Sequence, residues 1–377
     1  MQYIQLGKSG FQVSRFGMGC MRFPQIEADD GSTQVDEKEA IRMIRHAIDS
    51  GVTYFDTAYG YHGGQSEVIL GKALLDGYQE KVRIATKLPP TKYDEPEACF
   101  EEQLSRLQTD HLDIFLLHGL RKDRWERVKE LKLLDFLDEL KTDGRIDCAG
   151  FSFHDGADLF NEIIDARDWD LCQIQFNYVD VDYQAGMQGL MRAAAKGIPV
   201  VAMEPLKGGL LAQNVPDDIM AIWQQADQQK TAADWGLRWL GNMPQVTVVL
   251  SGVSSMAQLD ENITIFSEPL TGCLSQAEAD SISKVKQLYD EKIKVGCTAC
   301  QYCMPCSSGV NIPGVFQQYN NVSIGGSLDL YKQRYGNMVE NQSDASQCTE
   351  CGECEEVCPQ NLQIIDLLKG ADALLGN

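Results

Sequence analysis

The chain has 377 residues, 44% of them hydrophobic, with 33 basic against 55 acidic side chains and a formal net charge of −22. That length exceeds one average domain and suits a large domain followed by a smaller one. Such acidity, with no Lys/Arg-rich tract to track phosphates, speaks against a nucleic-acid partner. No apolar run approaches the roughly 18 residues of a spanning helix. The start, MQYIQLGKSG, lacks the basic residues and apolar core of a secretory signal, so a cytoplasmic protein without a membrane partner is expected.

Residues 3 to 12 read as a hairpin turning at Gly7-Lys8-Ser9-Gly10. Eight short runs then read as strands: Val13–Gly19, Val52–Asp56, Val82–Thr86, Leu112–His118, Ile146–Ser152, Leu171–Phe176, Ile198–Met203 and Val246–Leu250. They are apolar nearly throughout, as strands buried on both faces should be. Amphipathic stretches lie between them. Asp36–Ser50 carries Ala40, Ile41, Ile44, Ala47 and Ile48 on one helical stripe ahead of Gly51. Glu126–Lys141 and Tyr183–Lys196 behave in the same way, the second stopping at Gly197. Alternating strand and helix signals predict a parallel sheet. A doubly wound sheet is the alternative, but no G-x-G-x-x-G follows the first strand. After Leu270 the pattern changes. Gln276–Lys294 reads as one long helix with Val285 and Leu288 on its apolar side, and a domain boundary is expected near Val295, dividing 1–295 from 296–377. Residues 320–347 are polar and give little pattern.

Three strands end on side chains that can do chemistry. Asp56, Lys87 and His118 recur at a spacing of 31 residues, the unit length of a (β/α)8 barrel of about 250 residues. They are therefore expected at one level on neighbouring strands, facing the mouth. A Gly-rich segment carrying Tyr61 follows Asp56. A carbonyl that accepts hydride needs a proton at oxygen, and a phenol with a pKa of about 10 donates poorly near neutrality. A neighbouring ammonium lowers that pKa. Lys87 supplies the ammonium, Asp56 balances it, and His118 can donate a hydrogen bond where negative charge develops.

Asp56 and Tyr61 in DTAYGY, Lys87 in ATK and His118 in LLH match the tetrad of the aldo-keto reductases, which residues 1 to 270 resemble in order and spacing. The resemblance implies an α/β fold, a (β/α)8 TIM barrel closed at its bottom by the N-terminal hairpin. It also implies an NAD(P)-dependent oxidoreductase that acts on a small carbonyl or alcohol substrate. Further positions carry over one by one. Ser152 and Gln173 stand where the family binds the nicotinamide carboxamide, although Phe153 replaces the Asn that usually follows. Met203 stands where an aromatic ring usually covers the nicotinamide. Gly252, Ser254 and Asn262 match the loop and helix start that hold the adenosine phosphates. Residues 250–262 contain no Lys or Arg to pair with a 2′-phosphate. Of NAD(H) and NADP(H), NAD(H) is slightly favoured, with Lys207 or another loop able to intervene.

Eight of the 13 cysteines fall between residues 297 and 358, which in a chain without a secretory signal points to metal rather than disulfides. Cys297, Cys300, Cys303 and Cys306 read C-x2-C-x2-C-x2-C; Cys348, Cys351, Cys354 and Cys358 read C-x2-C-x2-C-x3-C-P. The second is the bacterial ferredoxin run, whose fourth Cys serves the other cluster. Zinc is the alternative, through paired C-x2-C spacings. By the crossover rule one [4Fe–4S] cluster takes Cys297, Cys300, Cys303 and Cys358, and a second takes Cys348, Cys351, Cys354 and Cys306. Ser307 stands where proline is usual after Cys306. The whole chain resembles aldo-keto reductases with a small, mainly helical, ferredoxin-like C-terminal domain. The clusters would stabilise the fold, sense redox state or serve an electron-transfer partner protein. A redox-sensing or electron-transfer protein that uses the barrel as a nucleotide-binding regulatory module is the alternative function. His46, His62 and His154 lack partners at ligand spacing, and Cys20, Cys99, Cys148, Cys172 and Cys273 read as small buried hydrophobes.

Overall fold

Eight parallel strands close into a barrel in simple sequential order. Strand 1 is Phe16–Gly19, strand 2 Tyr54–Asp56, strand 3 Arg83–Leu88, strand 4 Leu112–Leu120, strand 5 Ile146–Phe153, strand 6 Leu171–Gln175, strand 7 Val200–Met203 and strand 8 Val246–Gly252. The structure is a computed structural model that describes residues 1–27, 33–90, 95–297, 302–358 and 360–376. Contacts within the chain divide it into two units, residues 1–177, 185–205 and 237–274 in the first and 178–184, 206–236 and 275–377 in the second.

All eight strands lie in the first unit. Their inward-facing residues make an apolar floor of Tyr54, Ala85, Ile114, Leu116, Cys148, Leu171, Val201, Val248 and Leu250, joined by Leu6 and Val13 of the hairpin. That hairpin pairs Tyr3–Gln5 antiparallel with Gln12–Ser14. Side chains two residues apart on a strand point the same way. Asp56, Lys87, His118, Gln173 and Met203 each lie two residues beyond a floor residue, and so share its side of the wall. Gly150 sits at this level because a Cβ there would stand 2.6 Å from the Leu171 carbonyl and 2.7 Å from Leu116.

The predicted elements shift where local chemistry intervenes. The run 13–19 is two strands, the end of the hairpin and strand 1. Strand 7 begins at Val200, after Pro199, which has no N–H for a ladder. The helix predicted over 126–141 is two, Lys122–Glu130 and Leu133–Thr142, separated at Lys132 by left-handed backbone with φ 52°. The one predicted from Tyr183 starts at Gly186, behind Gln184 with φ 58°. Glu37–Asp49 forms as read, with Asp36 capping the Glu39 N–H. A small hairpin, Gln25–Glu27 with Thr33–Val35, has no counterpart in the sequence reading.

The second unit contains the helix Gln276–Lys292, opened by a capping box between Ser275 and Glu278. Helices Ile312–Ser323, Leu328–Glu340 and Ile364–Leu375 follow. They enclose a core that includes Val310, Ile312, Phe316, Tyr331, Tyr335, Ile364 and Leu368. Tyr331 and Tyr335 anchor the segment whose polarity hid its helix. Among the described residues, no helix is long and apolar enough to cross a membrane.

Candidate active site

Asp56 ends strand 2 and Lys87 lies near the end of strand 3, yet they are not register partners: Asp56 pairs with Ala85, and Lys87 pairs with Leu116 on strand 4. Each step around the wall thus advances two residues, and the tilt of strands in a closed barrel returns the side chains to one height. The 31-residue spacing is this stagger written in sequence. Lys87 Nζ donates to Asp56 Oδ1 at 2.5 Å, to the Thr57 carbonyl at 2.6 Å and to the Tyr61 hydroxyl at 3.3 Å. The Tyr61 ring meets the His118 ring edge-on at 5.9 Å. Lys87 and Asp56 are sealed from solvent, whereas Tyr61 and His118 remain partly open.

The charges follow from this burial. Desolvation pulls the Lys87 ammonium down, but Asp56 and Tyr61 outweigh it and hold Lys87 above its ordinary value. For Asp56 burial is the larger influence and raises the carboxyl, with Lys87 opposing. Tyr61 departs from expectation. Burial raises its phenol, Lys87 draws it down, Asp56 pushes it up again, and the balance lies above the usual value of 10. Burial, followed by the positive charges of Lys87 and Arg124, keeps His118 well below the usual imidazole range. His118 is therefore neutral near pH 7, which leaves one ring nitrogen to donate and one to accept.

The residues matched to nicotinamide contacts come from strands 5 to 7. Ser152 is buried, and its Oγ accepts from the Gly119 N–H at 2.7 Å, which leaves its own proton to give. Gln173 donates to Met203 Sδ at 3.7 Å, while its Oε1 is buried with no hydrogen-bond partner. An orphaned amide oxygen between a hydroxyl-bearing strand and a thioether suits a ligand carrying an amide N–H, as nicotinamide does. Phe153 turns away into the wall and packs on Phe160 at 5.2 Å. Farther round, Asn262 donates to Ser251 Oγ at 3.1 Å and Ser254 Oγ donates to the Arg22 carbonyl at 3.0 Å. The stem of Arg22 lies over Gly252, where a Cβ would sit 2.7 Å from Arg22 Cγ. Neither Arg22 nor the buried carboxylate Glu67 was singled out by sequence. Their roles depend on contacts with strand 8 and with the helix Pro96–Leu107, which no local pattern signals.

In the second unit, Cys306, Cys348, Cys351 and Cys354 line one cavity of about 180 Å³, together with Cys303. Burial pushes the Cys354 thiol up to about 11, with Cys348 and Cys306 among the neighbours that add to the shift. Thiols gathered around one void fit a cluster, whose irons would bind and compensate the thiolates, but the void has five of them, and Cys303, predicted to serve the other cluster, is among them. No three His, Cys, Asp or Glu side chains among the described residues converge tightly enough for a single ion. Ser307 Oγ lies 3.8 Å from Cys351 Sγ. Cys297 lines a different cavity, Cys358 is half-buried against the helical core, and Cys300 lies outside the described residues. His46 pairs with Asp260 at 2.7 Å and His62 stacks on Phe23. Cys20, Cys99, Cys148 and Cys172 are buried, and Cys273 is half-buried.

Comparison with known proteins agrees with the barrel. A curated Bacillus subtilis (strain 168) protein, described as the uncharacterized oxidoreductase YrpG, is 32% identical over 235 residues, covering 56% of this chain and 68% of its own. The NADH-specific methylglyoxal reductase of Escherichia coli (strain K12) is 26% identical over 313 residues, covering 70% and 93%. The crystal structure of an aldo-keto reductase from Klebsiella pneumoniae in complex with NADPH superposes with a TM-score of 0.60 at 21% identity, over 76% of this chain and 95% of that one. Residues 296–363 match the 4Fe-4S dicluster domain. Residues 15–289 match the aldo/keto reductase family, and with most of its length accounted for by that match, the chain belongs to this family of oxidoreductases.

Proposed function

We propose that the protein reversibly reduces an aldehyde or ketone to the alcohol, with Tyr61 as general acid in reduction and general base in oxidation. The observation that carries this reading is a single buried ammonium, Lys87, within hydrogen-bonding reach of both the Asp56 carboxylate and the Tyr61 phenol. A bound nicotinamide supplies hydride to the carbonyl carbon. The remaining work falls to side chains. Tyr61 gives its proton to the carbonyl oxygen as charge builds there, and the phenolate left behind faces the Lys87 ammonium. Asp56 holds that ammonium in place. His118, neutral, donates a hydrogen bond to the same oxygen without competing as an acid.

Ser152 and Gln173 would hold the carboxamide, Met203 would cover the ring, and Gly252, Ser254 and Asn262 would hold the adenosine end. NAD(H) is preferred over NADP(H) on this reading, because residues 250–262 carry no cation and Lys207 is already committed to Asp180. The cysteine region would carry two [4Fe–4S] clusters, one on Cys348, Cys351, Cys354 and Cys306 and one on Cys297, Cys300, Cys303 and Cys358. The cavity shared by Cys306, Cys348, Cys351 and Cys354 supports the first grouping, although Cys303 of the second set lines it too. The test is an anaerobic screen of carbonyls and alcohols with both nicotinamides. Turnover of at least one class supports the proposal; reversible binding of nicotinamide without turnover of any would favour a regulatory module.

A further inference from the structure

Glu67 is a carboxylate with no exposure to solvent, and the chemistry above gives it nothing to do. It lies in the helix Gln65–Ala73, directly after the Tyr61 loop. One oxygen, Oε1, accepts from Thr86 Oγ1 at 2.6 Å and from Gln103 Nε2 at 2.7 Å. The same Gln103 nitrogen lies 3.1 Å from the backbone carbonyl of Lys87. The other oxygen, Oε2, accepts from Arg106 Nη1 at 3.1 Å. Arg106 in turn donates to the Tyr59 carbonyl at 3.0 Å, stacks on the Tyr59 ring at 4.1 Å and contacts Glu102. A Cβ on Gly64 would stand 3.2 Å from its guanidinium.

One arm of Glu67 therefore grips strand 3 at Thr86 and Lys87, and the other, through Arg106, grips the loop that carries Tyr61 at the Tyr59 carbonyl, with the guanidinium lying close beside Gly64. That loop needs an anchor. His62, Gly63 and Gly64 run through three successive left-handed conformations, with φ of 51°, 63° and 95°, and a non-glycine residue there is strained. Gly71 makes the arrangement possible: any Cβ would lie 2.6 Å from the Arg106 carbonyl, so its absence lets the Glu67 helix approach the helix that carries Gln103 and Arg106. A buried carboxylate is costly unless paired and hydrogen-bonded, and this one is fully engaged.

We propose that Glu67 is a positioning residue that sets the distance between Lys87 and Tyr61, acting through Gln103 on the first and through Arg106 on the second. The inference rests on the reading of Tyr61 as the proton donor. Besides Lys87, the groups facing the phenol are Asp56, Cys20 and the neutral His118, and none of them is touched by Glu67. Loosening the tether withdraws mainly the ammonium, so the phenol should titrate at higher pH.

The test uses the full chain and needs no substrate. Phenol ionisation is read by ultraviolet difference absorbance between each protein and the same protein carrying Tyr61→Phe, which isolates Tyr61. In Glu67→Gln the Tyr61 transition should move to higher pH, while nicotinamide affinity, read by fluorescence, stays within about twofold because no cofactor contact is altered. With a substrate in hand, kcat should fall about 10- to 100-fold, as displacement of reacting groups does. Gln103→Met removes the link to the Lys87 carbonyl, leaves the Thr86 hydrogen bond to Glu67 in place, leaves no buried charge unpaired, and should move the transition in the same direction, by less. If Glu67→Gln fails to fold, Gln103→Met decides. A folded variant of either kind with an unmoved Tyr61 transition overturns the proposal. Full activity of Tyr61→Phe would instead sink the catalytic reading, an outcome the Glu67 titration cannot imitate.

Discussion

Lys207 and Asp180 face each other at 2.6 Å with side chains only 14% and 10% exposed. A cation so placed has its counter-charge already, and moving it to a nucleotide phosphate would give up this largely buried ion pair. NADH should accordingly bind at least as tightly as NADPH. Fluorescence titration of both decides it. A clear NADPH preference would direct attention to Arg22, whose stem covers Gly252, and Arg22→Ala would then be expected to erase the difference.

Removal of the Tyr61 hydroxyl should leave a protein that binds nicotinamide normally and turns over poorly. General acid catalysis contributes about 10²- to 10⁴-fold, so a loss of that order in kcat is expected for Tyr61→Phe, with cofactor Kd nearly unchanged. Near wild-type kcat in this variant would remove Tyr61 from the chemistry.

Burial holds the Tyr61 phenol above its usual 10. Reduction needs the protonated phenol and oxidation needs the phenolate, so the two directions should depend oppositely on pH. Reduction should be level through neutrality and decline only in strong alkali, whereas alcohol oxidation should keep rising as pH increases. A reduction rate that already falls between pH 6 and 8, roughly the range of an ordinary imidazole, would assign the proton to another group.

Anaerobically purified protein should be brown and contain about eight iron and eight acid-labile sulfide per chain, as two four-iron clusters require. Cys358→Ser should damage the cluster held by Cys297, Cys300 and Cys303, because the fourth ligand crosses over. Damage confined to the cluster on Cys348, Cys351 and Cys354 contradicts that pairing. Stoichiometric zinc without sulfide would overturn the cluster assignment altogether.

Glu278 joins two devices at the start of its helix. Its carboxylate accepts from the Ser275 N–H at 2.9 Å and from Lys230 Nζ at 2.6 Å. The Lys230 hydrogen bond is the largest influence holding its pKa down, to about 2. A depressed folded pKa means stability that is present above the unfolded value near 4.5 and lost as pH falls through about 2. Glu278→Gln should cost about 1 kcal/mol at pH 7, because solvent screens much of the pair with Lys230, with the deficit shrinking as the wild type is acidified. Denaturant melts at several pH values measure this, and a deficit that does not change with pH would show that the capping geometry, not the charge, is what matters.

Much of this was legible in the order of residues. The 31-residue recurrence of Asp56, Lys87 and His118 fixes a strand–helix unit length, and unit length with all-apolar strands leaves few folds besides a barrel. Cysteine spacing is nearly as local, because three of the four ligands expected for each cluster come from one short stretch of chain. Where an element's limits depended on single-residue backbone conformation, as at Lys132 and Gln184, the periodic pattern ran straight through the break. What only the tertiary structure decided is how charge behaves. Whether Lys87 lowers the Tyr61 phenol depends on the dielectric around both, and burial, which no spacing encodes, outweighs it. The tether from Glu67 through Gln103 and Arg106 was out of reach for the same reason. Those residues are 36 and 39 positions away, and their hydrogen bonds exist only once the two helices have packed closely enough to exclude water from a carboxylate.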